Sequence, residues 1–238
     1  MRFPTPLVPG TLILREKRFL AHVRLDDGRE VIAHTNNTGA MRGCSEPGSR
    51  VWLSPAANPK RKLKWTWELV DVGGGVLAGI NTILPNKLVA EAARTDVIDA
   101  FSSYDRVRTE VKYGAEGSRV DVLLERGDGG VGDRWWIEVK NVTLVDGEGH
   151  GSFPDSPTER GRKHLRELGA MVDAGERAGL LFVVQRSDIR DVTPADAIDP
   201  EYGAELRRVA ARGVEIMAWQ ADVTVEGVVL ARALPVRL

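Results

Sequence analysis

Asp121 interrupts an otherwise apolar run, Val120-Asp121-Val122-Leu123-Leu124, and a second run, Trp135-Trp136-Ile137-Glu138-Val139-Lys140, carries Glu138 and Lys140 two residues apart. Side chains of an extended chain alternate between faces, so Glu138 and Lys140 project together while Ile137 and Val139 enter the core. The glycine-rich segment 127–132 supplies a turn between the runs. The runs are therefore expected to pair as antiparallel strands and bring two carboxylates and a lysine to one rim of a sheet. Carboxylate oxygens suit Mg²⁺ (or Mn²⁺), which keeps several waters and takes one or two carboxylates plus a substrate phosphate. Such an ion polarises a phosphodiester and lowers the pKa of a bound water, and a lysine beside it orients that water or offsets charge in the transition state. The predicted chemistry is phosphodiester hydrolysis, with Asp121, Glu138 and Lys140 catalytic and Asp121 and Glu138 ligating the metal.

An acid-x-lysine strand is common as a solvated face, so its meaning depends on the elements around it. Leu88, Val89 and Ala92 give a helical period from Pro85 onward. Glu91 on that helix is either a further metal ligand or a surface glutamate. Strands are expected at 107–113, 119–125 and 135–142. A helix follows, with Ser156 as its cap, Pro157 in its first turn, Glu159 at capping-box spacing, and a stripe of Leu165, Leu168, Met171 and Val172. The run 180–184 reads as a strand covered on both faces, and a helix at 200–212 and a strand at 214–219 complete the set. Helix, three strands with the motif on the second and third, capped helix and strand is the order of the PD-(D/E)XK nuclease fold. Residues 83–238 are thus expected to form an α/β domain of that kind around a mixed sheet.

The first 82 residues have a different period. Ala21, Val23 and Leu25 alternate before an Asp26-Asp27-Gly28 turn, and Val31 and Ala33 continue beyond it. Strands at 50–53, at 63–69 and at 76–80 follow, which points to a small OB-like β-barrel. In the longest of them Leu63, Trp65, Trp67 and Leu69 share the inward face, and Lys62, Lys64, Thr66 and Glu68 the outward one. The whole chain has 33 Lys plus Arg against 34 Asp plus Glu, a formal charge of -1. Division at residue 82 gives 12 basic against 7 acidic residues before it and 21 against 27 after it, so the balance is a cancellation of +5 and -6. Lys60, Arg61, Lys62 and Lys64 form the clearest cluster and are candidates to meet nucleic-acid phosphates. Arg160 and Lys163 on the capped helix are further candidates, although Glu159 and Glu167 among them fit a plain salt-bridged face equally well.

The remaining signals read as structural. His164 lies near the apolar stripe and is expected to be packed. His22 and His34 are expected to face each other across the first hairpin. Asp146, Glu148 and His150 sit among glycines in what reads as a solvated loop over the site. Asn36-Asn37-Thr38-Gly39 is first a turn and second a phosphate-contacting loop. Glu110 and Lys112 read as a surface pair on one strand face. Cys44 is the only cysteine. That excludes an internal disulfide and an all-cysteine zinc site, and with two prolines near the start in place of a signal sequence it predicts a cytoplasmic protein. No phosphate loop, nucleotide fingerprint or nucleophile elbow supports a sugar-pathway enzyme.

The segments Asn58-Pro59-Lys60-Arg61-Lys62-Leu63-Lys64, Glu138-Val139-Lys140-Asn141-Val142-Thr143-Leu144 and Phe153-Pro154-Asp155 are long and unusual. So are Thr158-Glu159-Arg160-Gly161-Arg162-Lys163-His164-Leu165 and Phe182-Val183-Val184-Gln185-Arg186-Ser187-Asp188. In this order they resemble the SfsA (sugar fermentation stimulation) family over nearly the whole chain. The resemblance implies an OB-like domain followed by a PD-(D/E)XK nuclease-like domain, DNA binding without strong sequence preference, and a link to maltose-utilisation genes. Carried over, the nuclease motif falls on Asp121, Glu138 and Lys140, all intact. Two functions remain open: a Mg²⁺-dependent nuclease, or a non-catalytic DNA-binding regulator using the same surfaces.

Overall fold

The computed structural model describes residues 1–114 and 117–238. Strands β1 (Val8–Glu16), β2 (Leu20–Leu25), β3 (Glu30–His34), β4 (Arg50–Pro55), β5 (Trp65–Asp71) and β6 (Leu77–Gly79) form the first sheet, in the order β3-β2-β1-β4-β5-β6. A parallel pairing of β5 with β3 at Ala33–Trp65 and His34–Thr66 closes five of these strands into a barrel. Closure follows from alternation: Leu12, Ala21, Val23, Ala33, Val51, Leu53 and Trp67 all point inward and are fully buried. Trp67 is satisfied there because its indole N–H donates to the Leu69 carbonyl at 2.9 Å.

Three expectations for this region need correction. The extended run begins only at Trp65, so Lys60, Arg61, Lys62 and Lys64 lie on the loop before β5. Thr66 and Glu68 are buried, Thr66 accepting from Arg61 and Glu68 from Ser54 and Asn81. His22 sits opposite Ile32 and His34 opposite Leu20, two residues out of step, so the histidines do not face each other.

Helix α1 (Leu84–Ala92) leads into β7 (Arg106–Tyr113), β8 (Ser118–Glu125), β9 (Arg134–Val142), β10 (Leu144–Val145) and β11 (His150–Phe153). Then come α2 (Glu159–Asp173), β12 (Arg177–Val184), β13 (Asp191–Pro194), α3 (Pro200–Ala211), β14 (Glu215–Val223) and β15 (Val228–Leu234). The central sheet runs β15-β14-β12-β9-β8-β7, with β12 parallel to β9 and β14 and the outer pairings antiparallel. Both faces are covered. Trp135, Ile137, Val139, Leu181 and Val183 pack with Leu88 and Val89 of α1, and Trp136, Leu180 and Phe182 pack with Leu165 and Leu168 of α2 and Tyr202 and Leu206 of α3. The near-continuous apolar run of β12 is what a central parallel strand requires.

The caps differ in detail from the sequence reading. Thr158, in extended conformation, accepts the Gly161 N–H, so α2 starts two residues after the expected Ser156 cap. Gly175, at φ 81°, follows its C-terminus. The segment 144–153 is an ordered hairpin and not a free loop. Asp146 accepts the N–H groups of Glu148 and His150, each at 2.9 Å, and β11 pairs in parallel with β13. Residues 1–7 pack on the second domain: the Met1 ammonium donates to the Val228 carbonyl at 2.7 Å, and Arg2 bridges to Gly227. Among the described residues no helix is long and apolar enough to cross a membrane.

Candidate active site

The site grows out of a break in the sheet. The β7–β8 ladder pairs Thr109 with Val122 and Val111 with Val120 but skips Glu110 and Asp121, and Glu110 there has φ 56°. Such a value is uncommon for a residue with a side chain, and it breaks the expected alternation of Glu110 with Lys112. On the other side the β8–β9 ladder ends at Val122–Ile137. Asp121 is therefore released from backbone pairing on both edges. Its carboxylate accepts the Val139 N–H at 2.7 Å and the Asn86 side-chain amide at 2.6 Å.

Glu138 occupies the α2 face of β9, in register with buried Trp136 and Val142. Its side chain is 2% exposed. One oxygen, Oε1, receives the Lys140 ammonium at 2.5 Å and the imidazole Nδ1 of His164. The His164 Nε2 accepts from Arg160 Nε at 3.4 Å, which leaves the Nδ1 proton for Glu138. The second oxygen, Oε2, is buried and has no hydrogen-bond partner among the described residues.

These surroundings drive the two carboxylates apart. Burial, and after it the Glu138 charge, pushes Asp121 up to about 6, against the opposing pull of Lys140, the Val139 N–H and Asn86. Burial also acts to raise Glu138, but Lys140 and His164 outweigh it and hold Glu138 below its ordinary value. Tyr113 and Tyr202, both buried near this negative charge, are raised by burial first and by Glu138 next.

The motif residues Asp121, Glu138 and Lys140 are thus brought together as expected. Glu91 is not part of the group. Its carboxylate pairs with the Met1 ammonium at 2.8 Å, and Asn86, earlier on the same helix, occupies the place beside Asp121. His164 is packed as the stripe implied, but it also binds Glu138. The hint available was its position between two buried leucine turns, where a polar ring needs a partner.

A divalent cation fits this donor set. The orphaned Glu138 oxygen and the raised Asp121 carboxyl are what two buried carboxylates show when a positive charge between them would satisfy both. Among the described residues no group of three or more His, Cys, Asp or Glu is arranged to hold a metal, so the protein would offer two carboxylates and leave the other positions to water and substrate, as Mg²⁺ accepts.

The remaining candidates are spread out. Lys60 and Lys62 are exposed on the barrel loop. Arg61 is tied down by the Leu63 carbonyl and the Thr66 hydroxyl, and Lys64 donates to the Pro59 carbonyl at 2.6 Å. Arg160 is exposed at the start of α2, and Lys163 lies half-buried one turn on.

A small barrel joined to a mixed-sheet α/β domain, with a recessed Asp-Glu-Lys cluster at a sheet break, is the class of protein this geometry defines. Comparison with known proteins names the family. Residues 13–80 match the SfsA N-terminal OB domain, and residues 83–227 match the sugar fermentation stimulation protein RE domain. The sugar fermentation stimulation protein homolog of Geobacter metallireducens is 56% identical over 238 residues, covering 100% of both chains. That of Geobacter sulfurreducens is 55% identical over 236 residues, covering 99% of this chain and 98% of the other. The solved structure of Pyrococcus furiosus SfsA in complex with Ca²⁺ superposes with a TM-score of 0.89 at 26% identity, covering 100% of this chain and 98% of that one. The chain belongs to the SfsA family.

Proposed function

We propose that this protein is a metal-dependent nuclease that binds DNA without strong sequence preference and acts in the cytoplasm. The observation that carries the reading is the pairing of Asp121 with a Glu138 whose second oxygen is buried and unsatisfied, beside Lys140. Asp121 and Glu138 would hold Mg²⁺ or Mn²⁺, which when bound supplies Lewis acidity toward a phosphodiester and a more acidic water. The relative from Pyrococcus furiosus was solved with Ca²⁺, a cation that also prefers oxygen ligands, and this supports the assignment of a cation to the family.

The chain's own groups have separate tasks. Asn86 and the Val139 N–H orient Asp121. His164, steadied by Arg160, fixes one oxygen of Glu138 and leaves the other toward the site. Lys140 presents its ammonium at the floor of the site, where it can pair with a phosphate oxygen and offset charge that builds on phosphorus during attack. The exposed Lys60 and Lys62, with Arg160 and Lys163, would pair with backbone phosphates without reading bases. Cleavage of plasmid and of labelled oligonucleotides with Mg²⁺ or Mn²⁺ tests this. Wild type should cut, and Asp121→Ala and Lys140→Ala should not. Equal behaviour of all three would discard the catalytic reading and leave a non-catalytic DNA-binding regulator, whose binding should still weaken steeply with salt.

A further inference from the structure

Lys140 and Asn86 of the site open into a cavity, with Asp121 and Glu138 behind them. The Lys140 side chain is 15% exposed. Above it is a cavity of about 300 Å³, walled by the barrel turn Asn36–Gly39 on one side and by Phe153–Asp155 on the other. The wall from the barrel is built in. Arg15 Nη2 donates to the carbonyls of Arg18, Asn37 and Gly39 at 2.7, 3.0 and 2.9 Å. Asp155 from the opposite wall accepts the Met41 N–H at 2.9 Å and packs so closely that a Cβ on Gly39 would lie 2.6 Å from its oxygen. The two domains are further stitched below the cavity, where Gln185 and Asn141 both donate to the Gly79 carbonyl.

A second groove meets this cavity. Asn36 lines both, and the groove continues past Asn81 between Arg61 of the barrel and Lys87 of α1 toward the Lys60–Lys64 loop. Its carboxylate, Glu68, is engaged by the Ser54 hydroxyl at 2.6 Å and the Asn81 amide at 2.8 Å, so the charged groups left to a ligand are cations, set among apolar residues such as Phe3, Ile83 and Leu84.

We infer that the substrate at this site is an unpaired strand of nucleic acid, which runs along the Arg61–Lys87 groove and lowers one nucleotide into the cavity over Lys140. This rests on the nuclease reading above and gives its substrate class. A cavity of about 300 Å³ has no room for a B-form duplex, whose major groove alone is about 12 Å wide. Enzymes whose reacting atom is recessed in this way act on single strands or on nucleotides taken out of the stack. Groove and cavity together supply the two requirements of single-strand binding, cations for the backbone at Arg61 and Lys87 of the groove and an apolar wall for a base at Phe153 of the cavity.

The test is fluorescence anisotropy in EDTA with labelled single-stranded DNA, single-stranded RNA, a gapped duplex and a covalently closed hairpin duplex of the same sequence. Thr38→Trp, at the exposed lip of the cavity, and Lys87→Glu, in the groove, serve as variants outside the reaction centre. The single strand and the gapped duplex should bind about tenfold or more tighter than the closed duplex, which must first be unpaired. Both variants should weaken single-strand binding and leave duplex binding unchanged, and Lys87→Glu should also reduce the salt slope. The DNA and RNA arms identify which strand is preferred. Equal binding of closed duplex and single strand, or a Thr38→Trp protein that is folded by circular dichroism and binds single strands as wild type does, overturns the inference while sparing the nuclease reading. Binding of none of the four removes both.

Discussion

The Asp121 carboxylate accepts the backbone N–H of Val139 at 2.7 Å, at the point where the β8–β9 ladder stops. A side chain has taken the place of a main-chain acceptor, and the sheet opens by one residue to let it do so. That substitution aims the second Asp121 oxygen at the Asn86 amide.

Asp121→Asn and Asp121→Ala should therefore separate charge from shape. Asparagine can still accept from Val139, and a flipped Asn86 amide can still meet it, so folded stability in EDTA at neutral pH should equal or exceed that of wild type. Alanine leaves a buried N–H unsatisfied, which should cost about 1–3 kcal/mol. Both should lose cleavage and cation binding. Urea unfolding with a Mn²⁺ titration by calorimetry checks this, and an Asp121→Asn protein that binds Mn²⁺ as wild type does would sink the ligand assignment.

His164 holds Glu138 in position. Removing it leaves Glu138 with Lys140 as its remaining partner in a place nearly closed to water. His164→Ala should cost about 1.5–3 kcal/mol, the value of a hydrogen bond to a charged group, and should weaken Mn²⁺ binding. His164→Gln, whose amide can donate in the same direction, should restore part of both. Equal loss of Mn²⁺ affinity in the two variants would make His164 a packing residue only.

The fold was legible where a pattern repeats. Alternation in β2 and β9, the run of β12 and the stripe of α2 are all spacing signals, and the meeting of Asp121, Glu138 and Lys140 followed from the pairing those signals imply. What stayed hidden depends on contacts between distant segments. Nothing local says that Glu91 meets the Met1 ammonium, or that Asn86 and not Glu91 stands beside Asp121. The start of α2 was misplaced because Ser156 and Thr158 both suit a cap. Asp199 selects the second by accepting the Thr158 N–H at 2.8 Å. The Asn36–Gly39 turn gave no sign of roofing the site, since its role comes from Asp155 across the domain junction.

Stability without cation should depend on pH in opposite senses at the two carboxylates. Asp121 is raised from 3.8 to about 6, so its neutral form is favoured by the fold. Its contribution is complete below pH 3.8 and is lost as pH rises through about 6, a change of about 1–3 kcal/mol. Glu138 is held below its ordinary 4.5, so its contribution is present above that value and is lost on acidification. In EDTA the difference in stability between Asp121→Asn and wild type should grow in favour of the variant between pH 4 and 7. A saturating cation should reverse the trend, because at about a hundredfold over its Kd a ligand adds about 2.7 kcal/mol to the folded state. A pH-independent difference in EDTA would mean that Asp121 is not raised.

The roof of the site should be separable from the rest of the fold. With one planar fork Arg15 ties the Asn37, Gly39 and Ala40 carbonyls of the 36–40 turn to the Arg18 carbonyl. Burial lowers its pKa, and the charge of Asp155 opposes that. Lysine at this position keeps the charge but offers a point donor, which cannot hold three carbonyls in one plane. Arg15→Lys should therefore loosen the turn locally, with amide exchange at residues 37–41 faster by about tenfold or more, a local loss of about 1.4 kcal/mol. The barrel core around Trp67 and Leu53 is held by apolar packing and not by these hydrogen bonds, and its slow exchange should persist. Faster exchange throughout the barrel would mean that Arg15 supports the whole domain and that the turn has no separate hold on the cavity.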